Sequence, residues 1–279
     1  MVTRRQFIVG SAALVAAAGV GAYASFVEPY WLEVVRRRMP VRNLPAELEG
    51  ATLAHLADTH VGPVSDGFLR DAFATLSAAK PDIVVITGDL TATYDAGVID
   101  AVKRTYANLP HARLATLAVL GNHDYGPEWS DAQHAALVTD ALESHGIRVL
   151  SNELVSVAGL QIAGMDDLWA GRFDPRKALA GLDPDRAMIA LTHNPDSVDL
   201  AGWDGFEGWI LAGHTHGGQV SLPFVGPPIV PVQNERYTAG EFELAGNRRM
   251  YINRGVGYTS LRLRFGARPE LTMFELHSA

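Results

Sequence analysis

The 279-residue chain contains no cysteine. That excludes thiolate nucleophiles, disulfide staples and sulfur-rich zinc sites, and it leaves oxygen and imidazole donors as the available metal ligands. Lysine is scarce: only Lys80, Lys103 and Lys177 occur, the other cations being arginine, a bias we read as codon usage. Positive charge is also short overall. Twenty-three Lys and Arg against 31 Asp and Glu leave a formal charge of −8, so no basic stripe is on hand to release counterions from a duplex, and nucleic acid is not an expected partner. Internal repeats, low-complexity tracts and linkers long enough to separate two domains are absent. With 48% hydrophobic and 19% charged residues, the composition is that of a folded globular protein that can bury a core without staples.

The first two dozen residues stand apart from the rest. Thr3-Arg4-Arg5-Gln6-Phe7-Ile8 resembles a twin-arginine export signal, and a Gly/Ala/Val-rich uncharged stretch leads to Ala22-Tyr23-Ala24, a small-x-small peptidase pattern. Residues 1–24 therefore read as a twin-arginine signal peptide, with the export machinery as a partner and 25–279 as one mature domain. Retention as a membrane anchor is the alternative, since the uncharged run reaches the roughly 20 residues that span a bilayer. Loss of the leader with Arg4 and Arg5 would leave a charge of about −10. The expected location is exported, periplasmic or cell-envelope associated. Arg36-Arg37-Arg38 reads as a solvated strand end, with contact to anionic lipid headgroups, a peripheral membrane association, as the alternative.

From Ala51 onward, apolar runs of strand length recur at 52–57, 83–87, 115–120, 187–192 and 209–212. Helical periodicity separates the early ones, at 68–79, 98–108 and 131–144. This alternation predicts a layered α/β fold with parallel strands buried between helices. Beyond Gly217 the periodicity fades, prolines crowd 223–231, and short strands at 249–253 and 271–276 suggest a second sheet rich in antiparallel pairs.

Each strand-like run ends in a polar cluster: Asp58-Thr59-His60, Gly88-Asp89, Gly121-Asn122-His123-Asp124, Thr192-His193-Asn194 and Gly213-His214-Thr215-His216-Gly217. In open α/β sheets the ligand crevice lies beyond the carboxyl ends of the strands, so these clusters are placed to converge. On extended backbone, residues two apart share a side, so each of Asp58-x-His60 and His214-x-His216 is expected to offer two donors to one centre. The glycines before Asp89, Asn122 and His214 suit sharp turns and close backbone approach.

In this order, Asp-x-His, Gly-Asp, Gly-Asn-His-Asp, His and Gly-His-Thr-His strongly resemble the calcineurin-like metallophosphoesterase superfamily, over nearly the whole chain from about Leu44 onward. The Gly-His-Thr-His-Gly-Gly-Gln-Val segment further resembles a bacterial branch of exported or membrane-associated phosphodiesterases related to UDP-2,3-diacylglucosamine pyrophosphatases. The resemblance implies a four-layer α-β-β-α sandwich of two mixed sheets. It also implies two divalent metal ions, Mn, Zn or Fe(II), with Asp58, His60 and His216 on the first, Asn122, His193 and His214 on the second, and Asp89 bridging. Hydrolysis of a phosphodiester, phosphomonoester or pyrophosphate bond by a metal-bridging hydroxide would follow, with a formal charge near +1 at the centre to receive an anionic substrate. By the same resemblance His123 is the general acid or phosphoryl stabiliser, and Asp124 orients it, with a simple turn cap as the alternative for Asp124. Purple acid phosphatases of this superfamily carry a tyrosine three residues after the bridging aspartate; here that position is Ala92 and the nearest tyrosine is Tyr94.

Substrate choice is expected to reside in three loops: 61–67, 166–173 with Trp169 and Arg172, and the proline-rich 222–236. Residues 223–231 are apolar and stiff, which suits either a lip for a lipid-linked phosphoester or a loop packed over the second sheet. Arg236 and Arg254 are candidate phosphate clamps. The preferred substrate is an envelope-derived phosphate compound, small or lipid-linked; a non-catalytic metal-dependent scaffold and a protein phosphatase are the competing readings.

Overall fold

The computed structural model describes residues 3–95 and 97–279; Met1 and Val2 of the predicted leader lie outside the described residues. In chain order the elements are α1 (Arg4–Phe26), β1 (Glu33–Val41), β2 (Thr52–Leu56), α2 (Asp66–Ala79), β3 (Ile83–Thr87), α3 (Val98–Tyr106), β4 (Ala115–Val119), α4 (Ala132–Glu143), β5 (Arg148–Val149), β6 (Glu153–Val157), β7 (Leu160–Gly164), α5 (Pro175–Ala178), β8 (Met188–Leu191), β9 (Trp209–Ala212), β10 (Gly240–Glu243), β11 (Arg249–Ile252) and β12 (Glu270–Ser278).

Two six-stranded mixed sheets form, in the orders β1-β12-β2-β3-β4-β5 and β10-β11-β9-β8-β7-β6. The central strands are short and mostly apolar, as in Ile83-Val84-Val85-Ile86, because both their faces are covered. One face of the first sheet packs Ala54, Leu56, Val84, Ile86 and Ala118 against Leu69, Phe73, Val102 and Val138 of α2, α3 and α4. The alternate residues Leu53, Ile83, Val85, Leu117 and Val119 meet Ile162, Ile189, Leu191 and Leu211 of the second sheet. The period-two alternation of strand side chains thus builds two cores from one sheet. The outer face of the second sheet, with Ala190, Ile210 and Ile252, is covered by Ala178, Leu179, Val198, Trp203 and Phe206. The four layers expected are present, although the fourth consists of the single-turn α5 and of loops.

Helix boundaries follow their capping chemistry. Asp131 opens α4 by accepting the backbone N–H groups of Gln133 and His134, and α2 stops where Lys80 turns left-handed at φ 49°.

The structure corrects two sequence expectations. The second sheet begins at β6, well before Gly217, and its interior pairs β7·β8, β8·β9 and β9·β11 are parallel; antiparallel pairs occur only at its two edges. The last strand, β12, joins the first sheet between β1 and β2. The arginine triplet lies mid-way along the edge strand β1, exposed, where charge discourages pairing with another sheet.

Candidate metal centre

The nine residues singled out by the sequence all follow the carboxyl ends of five strands, three from the first sheet (β2, β3, β4) and two from the second (β8, β9). The site therefore sits at the edge where the two sheets face each other. Eight of the nine are buried; His123 alone is half-exposed.

Local backbone geometry holds the donors there. Asp58, His60, Asp89, His214 and His216 adopt positive φ of 53°, 46°, 53°, 74° and 51°, a conformation that costs a non-glycine residue free energy and that clusters at functional sites. The loops carrying them come very close. Gly88, at φ 82°, has no room for a Cβ, which would lie 2.6 Å from both the Gly121 nitrogen and His193 Nδ1; a Cβ on Gly121 would fall 2.3 Å from Asp89 Oδ1.

Two clusters result. Asp58, His60 and His216 bring their donor atoms within 4.8 Å of one another, as do Asp89, His193 and His214. Asp89 Oδ2 lies 3.3 Å from His193 Nε2 and 3.7 Å from His60 Nε2, so it faces both groups. Asn122 is buried on the turn Asn122–Tyr125, and its side-chain oxygen has no hydrogen-bond partner. The extended-backbone argument holds for Asp58 and His60 only in its outcome, because left-handed residues rather than extended ones aim them together. For His214 and His216 it fails: these two imidazoles point into different clusters.

The tautomers decide what the second cluster requires. His193 Nδ1 donates to the carbonyl of Thr87 at 2.8 Å, and His214 Nε2 donates to the carbonyl of Pro231 at 2.8 Å. Carbonyls only accept, so in the neutral rings the remaining nitrogens, His193 Nε2 and His214 Nδ1, present lone pairs to each other at 3.0 Å. Two acceptors at hydrogen-bond distance need a positive charge between them. Protonation answers that need in the protein alone. Burial opposes charge on His193, yet the Asp89 carboxylate overcomes it and lifts the imidazole to about 10. Burial likewise pushes Asp58 up to about 8 and His60 and His214 down to about 3. A divalent cation supplies the same charge without a proton, and the donor set of imidazoles, carboxylates and one amide oxygen fits a borderline or hard divalent ion. The residues present fit two such ions.

His123 donates its backbone N–H to Asp89 Oδ1 at 3.0 Å, its ring lies edge-on to His60 at 5.3 Å, and its Nδ1 is 3.2 Å from the Tyr94 hydroxyl. Nothing in the sequence assigns that role to Tyr94, whose place five residues after Asp89 is the one local signal. Of the two roles open to Asp124, the contacts are those of the turn cap. Its carboxylate accepts the backbone N–H groups of Leu90, Thr91 and Gly121 at 2.9–3.0 Å and does not reach the His123 ring. The three amide contacts tie the Asp89 loop to the Asn122 loop, which makes Asp124 a positioning residue rather than a catalytic one. The two candidate phosphate clamps differ, Arg254 being held in ion pairs and Arg236 being exposed. Arg254 is paired with Glu270 and Glu33 at 2.5 and 2.9 Å, and Arg236 lies over the Tyr237 ring. Arg264 was not foreseen at all. It is fully buried, donates to the carbonyls of Gly255, Gly257 and Ala267, and lies 3.2 Å from His216 Nδ1. Beside His214, Trp169 packs perpendicular to the imidazole with ring centroids 4.4 Å apart and stacks on Trp129, opening onto a cleft of about 480 Å³ that also touches Asp196, Asp199 and Gln233.

The model of the calcineurin-like phosphoesterase family matches residues 51–218, a span that holds all nine of these positions. The chain belongs to the calcineurin-like phosphoesterase family. Across 99% of its length it is 35% identical to the whole of the phosphodiesterase YaeI of Escherichia coli, and 34% identical to an uncharacterized metallophosphoesterase, YkuE, of Bacillus subtilis, 98% of which is covered. The UDP-2,3-diacylglucosamine pyrophosphatase LpxG of Chlamydia trachomatis is 27% identical over 90% of this chain and 91% of its own. Phosphoester hydrolysis with divalent metals is the activity that membership carries, and the two donor clusters agree with it.

Proposed function

We propose that the protein hydrolyses a phosphodiester or pyrophosphate bond of an envelope-derived, lipid-linked substrate outside the cytoplasm, using two divalent cations. The observation that carries this reading is the acceptor-to-acceptor contact of His193 and His214 beside Asp89, an arrangement that favours a cation. Asp58, His60 and His216 would hold one ion, Asn122, His193 and His214 the other, with Asp89 shared between them. When bound, the pair supplies a water that ionises near neutral pH and positive charge for the phosphoryl oxygens.

The chain's own residues do the rest. Thr87 and Pro231 carbonyls fix two imidazoles in the tautomer that leaves a ligating nitrogen free. Half-exposed His123, with Nδ1 held by Tyr94, is placed to protonate the leaving oxygen. Asp124 locks the two ligand loops in register before substrate arrives. The cleft beside Trp169 is open for the leaving group. The lipid-linked and extracytoplasmic parts of the proposal draw on the chlamydial relative, a UDP-2,3-diacylglucosamine pyrophosphatase, and on the apolar N-terminal helix.

The test is direct. Protein stripped of metal and reloaded with Mn or Zn is expected to hydrolyse bis-p-nitrophenyl phosphate faster than p-nitrophenyl phosphate. No turnover of either with any metal would leave a scaffold; preference for the monoester would overturn the diesterase assignment.

A further inference from the structure

Helix α1 is long and apolar enough to cross a membrane, with only 6% of its apolar window buried in the protein. Its 23 residues extend about 34 Å at about 1.5 Å per residue, against a hydrocarbon core of about 30 Å. Only its last turns touch the body. The Ala24 carbonyl accepts the Arg264 backbone N–H at 2.9 Å, Ala24 is buried, and the Tyr23 ring meets Phe265 edge-on at 6.4 Å. The peptidase-like Ala22-Tyr23-Ala24 is thus helical and partly docked, whereas cleavage favours exposed, irregular chain.

The same segment holds the apolar loop. Phe265 pairs with the chain that enters residues 222–232: its N–H donates to Gln219 at 2.8 Å and its carbonyl accepts from Ser221 at 2.7 Å. The loop then folds back over Gly218, where a Cβ would lie 2.3 Å from Pro227, and ends at Pro231, whose carbonyl receives the His214 imidazole. Helix exit, loop and metal clusters are therefore consecutive neighbours. Residues 222–232 carry no charge. Phe224 is fully exposed, and Val225, Ile229 and Leu261 are 77%, 78% and 67% exposed, so the loop is not packed over the second sheet. A group of large apolar side chains held out of the fold marks a contact surface.

We propose that this surface rests on a lipid bilayer, with α1 retained as its span and the tip of 222–232 dipped into the adjoining leaflet. The lipid occupant is argued from the helix itself, which places a membrane where this loop begins. Tyr30 and Trp31 follow the helix at the depth where aromatic side chains favour the interface. Arg262 stacked on Phe26 and Arg268 stacked on Trp31 offer cations to anionic headgroups. The twin-arginine pattern at Thr3–Ile8, which resembles an export signal, gives the orientation with the body outside the cytoplasm. The metal clusters then face phosphoesters carried by lipids. That last step rests on the proposed hydrolase reading; the docking itself does not.

The cysteine-free chain allows a clean experiment. Full-length Phe224→Cys, Ile229→Cys and, at the opposite end of the sheets, Asn247→Cys are labelled with an environment-sensitive fluorophore in phosphatidylcholine–phosphatidylglycerol vesicles. Acyl-chain spin labels are expected to quench positions 224 and 229 several-fold more than 247, with iodide showing the reverse order. Equal iodide quenching at 224 and 247 would overturn the proposal. So would protection from iodide without acyl-chain quenching, the signature of a protein partner, or a membrane-fraction chain that begins at Ser25. Failure of the hydrolase reading would appear separately, as absence of turnover with the quenching pattern intact.

Discussion

Two buried polar regions lie only a few residues apart on the same strands, and they are built on opposite rules. Between β11, β12 and β2, Glu270 receives the hydroxyls of Tyr251 and Thr272 on one oxygen and the Arg254 guanidinium on the other, while Asn253 donates to Thr272 and to the His55 carbonyl. Each acceptor named there meets a donor, as burial demands. At the carboxyl ends of the strands, the lone pairs of neutral His193 Nε2 and His214 Nδ1 face each other at 3.0 Å, two carboxylates share one enclosure, and the amide oxygen of Asn122 faces no donor. Density of buried polarity does not distinguish a site from a structural network. The polarity of the facing atoms does, because a matched network is complete as protein, whereas an acceptor-lined one is completed by a cation or a proton.

The strongest way to break that contrast is to remove the charge both clusters face. Asp89→Asn keeps the shape and turns one acceptor into a donor. Elemental analysis of the purified variant is expected to show loss of metal from both clusters, and turnover is expected to fall at least about 1,000-fold, the scale of losing a pre-set electrostatic contact to the transition state. A variant that retained two equivalents of metal would remove Asp89 from the shared position.

His123 sharpens the contrast from within the site, since it touches Asp89 through its backbone while its ring stays half-exposed. His123→Ala should lower turnover by about 100- to 10,000-fold, the range for a lost general acid, and leave the metal content unchanged. Metal loss in this variant would make His123 a ligand and require another proton donor.

How much of this was legible beforehand divides along the same line. Strand ends and their ligands were readable because a buried parallel strand is a short apolar run and its polar termination is abrupt; 83–87 and 209–212 were located to the residue. The second sheet's parallel interior was not, since strand direction is set by crossovers that leave no local mark, and the hairpin of β6 and β7 was passed over amid weaker alternation. In the sequence the role of Asp124 stays open between ring partner and turn cap for a different reason. A carboxylate one residue from His123 suggests a partner for the ring, but turn geometry sends it to three amides instead, a choice that depends on loops distant in sequence. Arg264 was invisible because nothing local separates a buried arginine from a solvated one.

The smallest expected effect comes from His55, whose backbone carbonyl joins the matched network while its buried ring Nδ1 has no hydrogen-bond partner. Its Nε2 meets the Thr87 hydroxyl at 2.8 Å between the sheets, and burial pushes the imidazole down to about 3. In the unfolded chain the ring takes a proton below about 6.5, while in the folded chain it stays neutral down to about 3. The unfolded state therefore binds more protons across that window, so this residue makes stability fall as pH drops from 6.5 towards 3, by at most about 1.4 kcal/mol per pH unit. Glutamine can keep the hydrogen bond to Thr87 and cannot titrate. Urea unfolding of metal-loaded His55→Gln is expected to track the parent closely above pH 7 and to decline less steeply below 6.5, the difference between the two curves approaching about 1 kcal/mol per pH unit. Parallel curves would mean that His55 is protonated in the folded core without penalty, and that burial between the sheets does not hold its ring neutral.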